Sequence, residues 1–453
     1  MDKRETFGSR FAVIMAMAGS AIGLGNIWRF PYVAGENGGS AFIIVYLIST
    51  LLLSLPIFLA EAVLGRTTRK DTFGAMEQLA PGSRWKWVAL LTVIAPLIIL
   101  SFYSVVGGWS VEYLFKSLTF GFSSGNEADA GAFFGRFISS VWGPLACHTV
   151  FLMLCAGIVT AGVKKGIERF SSVTMPVLLV LIVLIMVYSL FLPGARAGVD
   201  YLLKPDFSKL TVSGVASAMG QSFFSLSLGV GTILTYASYV RKEEKLVASA
   251  LGTAGFDLLF AMIAGFAVMP AVFAAGIEPA AGPGLVFETL PYIFVRMGAD
   301  APVLSAAVAI LFFLTILVAA ITSAISMLEV GVAYLVDEKG FTRGKAVAVL
   351  FAVCWTVGTL CSLSFGPLAD FKLFGETIFG FCDKLTSNFL MAFGGLLFTL
   401  FVGWKMDVAQ VRRELTADGT DRFGTACFGV IRFLIRYVAP SAILLIFLSN
   451  LFL

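Results

Sequence analysis

Eleven long apolar stretches divide the chain, near residues 11–34, 40–64, 88–117, 141–162, 168–191, 213–239, 246–274, 302–335, 344–362, 373–403 and 424–452, each bounded by charges or by Gly/Pro turns. About 20 apolar residues cross a hydrocarbon layer as a helix, because lipid offers no partner to an unpaired backbone group. The stretches therefore predict an all-α integral membrane protein with eleven transmembrane helices. Of the 453 residues 58% are hydrophobic and 13% charged, which excludes a water-soluble fold, so 1–453 reads as a single transmembrane domain. Residues 1–24 resemble a secretory signal in outline, but a signal does not end in a glycine-rich run.

Twenty-one of the 32 lysines and arginines fall in loops on one side, among them Lys3, Arg4, Arg10, Arg66, Lys164, Arg241, Lys339 and Lys405, and nine on the other. Basic loops stay cytoplasmic. The bias predicts a multi-pass protein of the cell (inner or plasma) membrane with its N-terminus cytoplasmic and, for an odd span number, its C-terminus outside. Arg432 and Arg436 stand i, i+4 inside the eleventh stretch, where long basic side chains snorkel to an interface. The longer outer loops, 119–140 and 276–301, suit a lid over an outer vestibule.

Composition removes several chemistries. His148 is the single histidine, so a histidine metal site or a Ser/His/Asp triad has no partner residues. The six cysteines lie in or beside apolar stretches without CxxC spacing and read as small apolar fillers. A net charge of +4 with scattered basic residues does not form a nucleic-acid footprint. No nucleophile stands with a base or metal cluster, so an enzyme is not expected.

Two stretches carry interruptions at matching places. The first runs Gly19-Ser20-Ala21-Ile22-Gly23-Leu24-Gly25-Asn26-Ile27-Trp28-Arg29-Phe30-Pro31, the sixth Gly220-Gln221-Ser222-Phe223-Phe224-Ser225-Leu226-Ser227-Leu228-Gly229-Val230-Gly231. Glycines and short polar side chains at mid-span weaken a helix. The breaks lie five stretches apart, and paired interruptions in corresponding halves point to an inverted repeat with a site at the bilayer midplane. The halves would be 11–191 and 213–403, with 424–452 an additional helix. Freed carbonyls suit a cation such as Na+, and the N–H groups opening each outer half-helix suit an anion. A zwitterionic amino acid meets both. Close packing at a helix crossing is the alternative use of such glycines.

Ionisable groups inside a span are costly and point to function. Asp257, in Gly252-Thr253-Ala254-Gly255-Phe256-Asp257-Leu258-Leu259, has no basic residue within two turns, and a bound cation would resolve its burial. Thr322 and Ser323 offer hydroxyls at small-residue positions, as an oxygen-coordinated cation requires, although such residues also hydrogen-bond within membrane helices. Tyr103 offers one hydroxyl to a carboxylate, or packs. Glu61, Glu112 and Glu329 read as structural polar groups.

Asn26-Ile27-Trp28-Arg29-Phe30-Pro31-Tyr32, Glu36-Asn37-Gly38-Gly39, Ser225-Leu226-Ser227 and Tyr236-Ala237-Ser238-Tyr239 together resemble the neurotransmitter:sodium symporter family, in its bacterial amino-acid branch, from residue 4 to about 404. That resemblance implies a five-plus-five inverted repeat with helices 1 and 6 unwound at mid-membrane. It also implies a sodium-coupled symporter importing neutral, hydrophobic L-amino acids by alternating access. Transport of another small carboxylate-bearing amine, or a channel or facilitator, are the alternatives.

The resemblance further implies residue roles. One Na+ would meet the Ala21 carbonyl, Asn26, Ser225, Asp257 and the substrate carboxylate; a second would meet carbonyls of Gly19, Ile22 and Ala319 with the hydroxyls of Thr322 and Ser323. Tyr103 and the N–H groups of Leu24 and Gly25 would take the substrate carboxylate, and carbonyls near Ala21, Phe224 and Ser225 its ammonium. Ile99, Ser20, Phe224, Ser227, Val230, Ser323 and Met327 would line the side-chain pocket. Arg29 with Asp383 would gate the outside beneath a Phe224 cap, and Arg4 with Asp337 the inside, supported by Ser238 and Tyr239. The Gly166-x9-Pro176 spacing matches a fifth-helix unwinding motif.

Departures from the family pattern carry information. Phe7 replaces an inner-gate tryptophan, which implies a looser plug. Asp257 replaces the asparagine of chloride-dependent relatives, and Ala261 leaves no carboxylate one turn on, so chloride is not expected to be required. Gly23 stands where monoamine carriers have an aspartate, which favours a substrate that brings its own carboxylate.

Overall fold

The computed structural model describes residues 5–119, 127–276, 286–288, 290, 291, 294 and 301–452. Among these, nine helices are long and apolar enough to cross a membrane, or ten with one bent pair counted as a span. The bent pair is α1 (Arg10–Ala21) and α2 (Gly25–Glu36), inclined at 53° to one another. Then follow α3 (Ser40–Thr68), the short α4 (Thr72–Leu79), α5 (Trp85–Leu118), α6 (Glu127–Ser139), α7 (Trp142–Thr160), α8 (Val163–Leu190) and α9 (Ala195–Leu203). The sixth apolar stretch forms two short helices, α10 (Val212–Ser225) and α11 (Thr232–Ala237). The remainder is α12 (Leu246–Ala274), α13 (Pro302–Lys339), α14 (Arg343–Leu363), α15 (Ile378–Lys405), α16 (Val408–Thr416) and α17, which runs from Arg422 to Phe452.

Side-chain caps set several helix starts. Ser9 Oγ accepts from Ala12 N–H at 3.2 Å to open α1, and Thr211 Oγ1 from Gly214 N–H at 3.0 Å to open α10. The tenth stretch, expected from 373, begins helically only at Ile378. Phe374 (φ 51°) and Gly375 (φ 87°) turn the chain, and Thr377 Oγ1 accepts from Gly380 N–H at 3.1 Å. Apolar character without helical backbone misplaced that boundary.

Both interrupted stretches leave helical geometry locally. α1 stops where Ile22 turns extended (φ −77°, ψ 105°). Between α10 and α11 the chain turns left-handed at Ser227 (φ 53°), Gly229 (φ 79°) and Gly231 (φ 71°). Serine resists that region by about 1–2 kcal/mol; its Oγ offsets this by donating to the Ser20 carbonyl at 2.8 Å. Glu61, buried in α3, accepts from Gly229 N–H at 2.6 Å and fastens this turn. Gly229 and Gly394 of α15 approach so closely that a Cβ on either would strike backbone. The long helices α5 and α13 pack along one another and frame both breaks.

Glu329, Glu112 and His148, in other apolar stretches, also have polar partners. Glu329 pairs with Arg343 at 2.5 Å and accepts from Tyr239 OH at 2.8 Å. Glu112 accepts from Cys147 Sγ at 3.8 Å, and His148 lies buried with Nε2 3.4 Å from the Trp355 carbonyl. Of the proposed outer lid, 120–126 and most of 277–300 lie outside the described residues. Phe287 is buried, and its carbonyl accepts from Tyr113 OH at 2.7 Å.

Candidate functional site

The two breaks face each other, and polar side chains gather between them. Asn26 Nδ2 donates to Asp257 Oδ1 at 2.8 Å and to Ser225 Oγ at 3.1 Å. Ser225 Oγ lies 3.0 and 2.8 Å from the two Asp257 oxygens. All three residues are buried, and no basic side chain pairs with Asp257 among the described residues. Tyr46, from α3, adds a hydroxyl 3.3 Å from Ser225 Oγ and 3.4 Å from Asp257 Oδ2. Sequence reasoning missed Tyr46, since a tyrosine in an apolar run packs far more often than it ligates. A buried carboxylate met only by neutral groups lacks a counter-charge, which a small cation supplies.

A second oxygen cluster lies along α13. Thr322 Oγ1 is 2.8 Å from the Ala319 carbonyl and 3.4 Å from that of Ile22. Ser323 Oγ lies 3.4, 3.1 and 3.3 Å from the carbonyls of Gly19, Ser20 and Ile22. The end of α1 thus turns its free carbonyls onto two hydroxyls of α13, an all-oxygen environment.

Between the clusters lies a cavity of about 30 Å³ lined by Ala21, Gly25, Ile99, Tyr103, Phe224, Ser227, Val230, Ser323 and Met327, with Gly23 and Met391 added. Ser20, Leu24 and Ser225, named with them from the sequence, do not line it. Ser20 Oγ donates to Ser326 Oγ at 2.8 Å, and Leu24 N–H donates to Tyr103 OH at 3.1 Å. Met391, in α15, gave no sequence signal, since nothing distinguishes it from other methionines in apolar runs. A Cβ on Gly23 would crowd Tyr103 OH and Ser323 Oγ, so this position admits no side chain without displacement.

The outer pair is not closed. Arg29 Nη1 donates to Gln221 Oε1 at 3.2 Å and its guanidinium lies 4.6 Å from the Phe224 ring centre, while Asp383 accepts from Ser387 Oγ at 3.0 Å. No Arg29–Asp383 ion pair forms; an outer cavity of about 510 Å³, bordered by Arg29, Tyr32, Phe224, Ser387 and Ile443, separates the α2/α10 wall from α15. Gln221 also donates to the Gly25 carbonyl at 2.9 Å, tying the two breaks together.

On the other side Arg4 lies outside the described residues. Asp337 accepts from Asp71 N–H at 3.2 Å. The Tyr239 carbonyl accepts from Phe7 N–H at 3.0 Å. Phe7 is 1% exposed and meets Tyr236 and Tyr239 edge-on at 5.9 and 6.1 Å, so the smaller ring still fills its seat. Beside it, Glu5 accepts from the N–H groups of Val163 and Lys164 at 2.7 and 3.1 Å, at the start of α8 that contains Gly166 and Pro176.

Comparison with known proteins decides the family. The model of the sodium:neurotransmitter symporter family matches residues 4–127 and 139–453. The chain belongs to this family. It is 39% identical over 452 residues to YhdH, an uncharacterised sodium-dependent transporter of Bacillus subtilis, covering 99% of this chain and 98% of that protein. A sodium-dependent serotonin transporter of Drosophila melanogaster is 26% identical, over 99% of this chain and 76% of its own. Among solved structures, MhsT in complex with L-phenylalanine matches with a TM-score of 0.90 and 41% identity, over 99% of this chain and 100% of the other. The symporter is therefore a sodium-dependent, multi-pass membrane transporter of a small molecule and not an enzyme.

Proposed function

We propose that this symporter imports neutral, hydrophobic L-amino acids with two sodium ions, through eleven spans arranged as inverted repeats of five with the first and sixth unwound at mid-membrane. The observation that carries this reading is the buried Asn26–Ser225–Asp257 cluster at the junction of the two breaks. A first Na+ takes the Asp257 carboxylate, the Ser225 hydroxyl, the Asn26 amide oxygen and the Ala21 carbonyl. The amide rotates for this, since its nitrogen now faces Asp257. The substrate carboxylate completes the shell, which couples the two loads directly. A second Na+ takes the Thr322 and Ser323 hydroxyls with carbonyls of Gly19, Ile22 and Ala319.

The lining supports this substrate class. Ile99, Val230, Met327 and Met391 present apolar surface, while Tyr103 and the N–H groups after the first break serve a carboxylate. The amino acid bound in MhsT supports the same class. Alternating access closes Arg29 onto Asp383 outside and releases Phe7 and the Arg4–Asp337 pair inside, with unwinding at Gly166 opening the second site to water. Each sodium ion moving down 100 mV contributes about 2.3 kcal/mol, so two ions sustain a far steeper substrate gradient than one. Uptake of labelled leucine, phenylalanine and tryptophan into proteoliposomes with sodium varied tests the proposal. Accumulation above the outside concentration only under a sodium gradient supports it. Passive equilibration, as through a facilitator, opposes it.

A further inference from the structure

The transport cycle leaves Arg432 and Arg436 unexplained, two arginines one turn apart inside α17. Neither has a carboxylate within 4 Å among the described residues, where Arg66 and Arg343 each have one. Arg436 lies just before the apolar run Ala439–Phe452 of α17. Trp404, next to the terminal Lys405 of α15, donates from Nε1 to the Arg436 carbonyl at 3.1 Å and marks the same level. Tryptophan and terminal lysine mark a membrane–water interface.

The local geometry forms a seat. A Cβ on Gly403 would come within 3.0 Å of Arg436 Cα, so glycine there lets α15 and α17 touch. The Arg436 guanidinium lies 4.0 Å from the Trp404 ring centre and 5.4 Å from that of Tyr437, and its buried Nε has no hydrogen-bond partner among the described residues. Trp404 is 56% and Tyr437 45% exposed, so this ring platform lies on the outer surface of the helices. A guanidinium resting against rings still has its Nη groups to offer a planar or tetrahedral oxyanion. We propose that Arg432, Arg436 and Trp404 form a binding site for the phosphate of an anionic phospholipid, whose acyl chains lie along the exposed Leu444, Leu445 and Leu448. A phosphodiester supplies the counter-charge the arginines lack, and neighbouring lipid tails supply the apolar cover that a free phosphate cannot. Such a site depends only on the chain spanning a membrane, whichever substrate it carries.

Native mass spectrometry of the full-length protein released from phosphatidylglycerol-containing nanodiscs tests it. The wild-type chain is expected to retain phosphatidylglycerol over phosphatidylcholine, and Arg432→Gln/Arg436→Gln to lose that retention by about tenfold, two charges near a headgroup being worth at least that. Trp404→Ala, which keeps both charges but removes the platform, is expected to lose part of it. Excess inorganic phosphate is expected to leave the bound lipid in place. Retention by the double variant equal to wild type overturns the site. Displacement of the lipid by inorganic phosphate overturns the lipid as its occupant. Sodium-driven uptake by the variants reports their folding separately.

Discussion

Asn26 and Asp257, 231 positions apart, meet through a 2.8 Å hydrogen bond from amide to carboxylate, joining the segment after the first break to the middle of α12. The carboxylate is the only formal charge in that cluster. Asp257→Asn is expected to keep the shape, remove the charge, and weaken sodium affinity by tenfold to a hundredfold, as losing a charged partner at about 1.5–3 kcal/mol implies. A sodium titration of amino-acid binding reads this; an unchanged midpoint would place the ion elsewhere.

On the proposed reading the Asp257 charge would stand in for a second anion at the cation site, and Ala261 offers no further carboxylate one turn on. Uptake is therefore expected to be equal in chloride and in gluconate media. Loss of transport on chloride removal would refute the role given to Asp257.

Much of this was legible in the sequence because membrane helices make polar residues conspicuous. Asp257, Thr322 and Ser323 stood out against apolar runs, and the glycines marked where backbone would leave the helix. Tyr46 and Met391 did not stand out, since both residue types are ordinary packing material and only the fold brings them to the site. The start of α15 was hidden for a different reason: the left-handed turn at Phe374 and Gly375 sits in apolar sequence. The distance between Arg29 and Asp383 depends on how far two helix walls stand apart, which residue identity does not encode.

Tyr103 OH receives the Leu24 N–H at 3.1 Å, which seats the hydroxyl against the backbone after the first break. Tyr103→Phe is expected to raise the apparent substrate KM about tenfold, the loss of one hydrogen bond to a charged group, with protein yield and melting temperature preserved. An unaltered KM would remove Tyr103 from carboxylate recognition.

Glu329 is fully buried and depends on Arg343, which holds it at 2.5 Å. Arg343→Gln leaves that charge unpaired and is expected to cost about 3–5 kcal/mol of stability. The double variant Arg343→Gln/Glu329→Gln removes both charges and is expected to melt above the single one. Equal melting temperatures for the two would show that an unpaired Glu329 charge carries no cost there.

Coupling between sodium and amino acid at the paired breaks is tested most directly by counting ions: simultaneous labelled sodium and labelled leucine fluxes in one proteoliposome preparation. Two sodium ions per amino acid are expected in the wild type, with net leucine accumulation vanishing when the sodium gradient is dissipated. Leucine accumulation that proceeds with no accompanying sodium flux would contradict the mechanism at its centre.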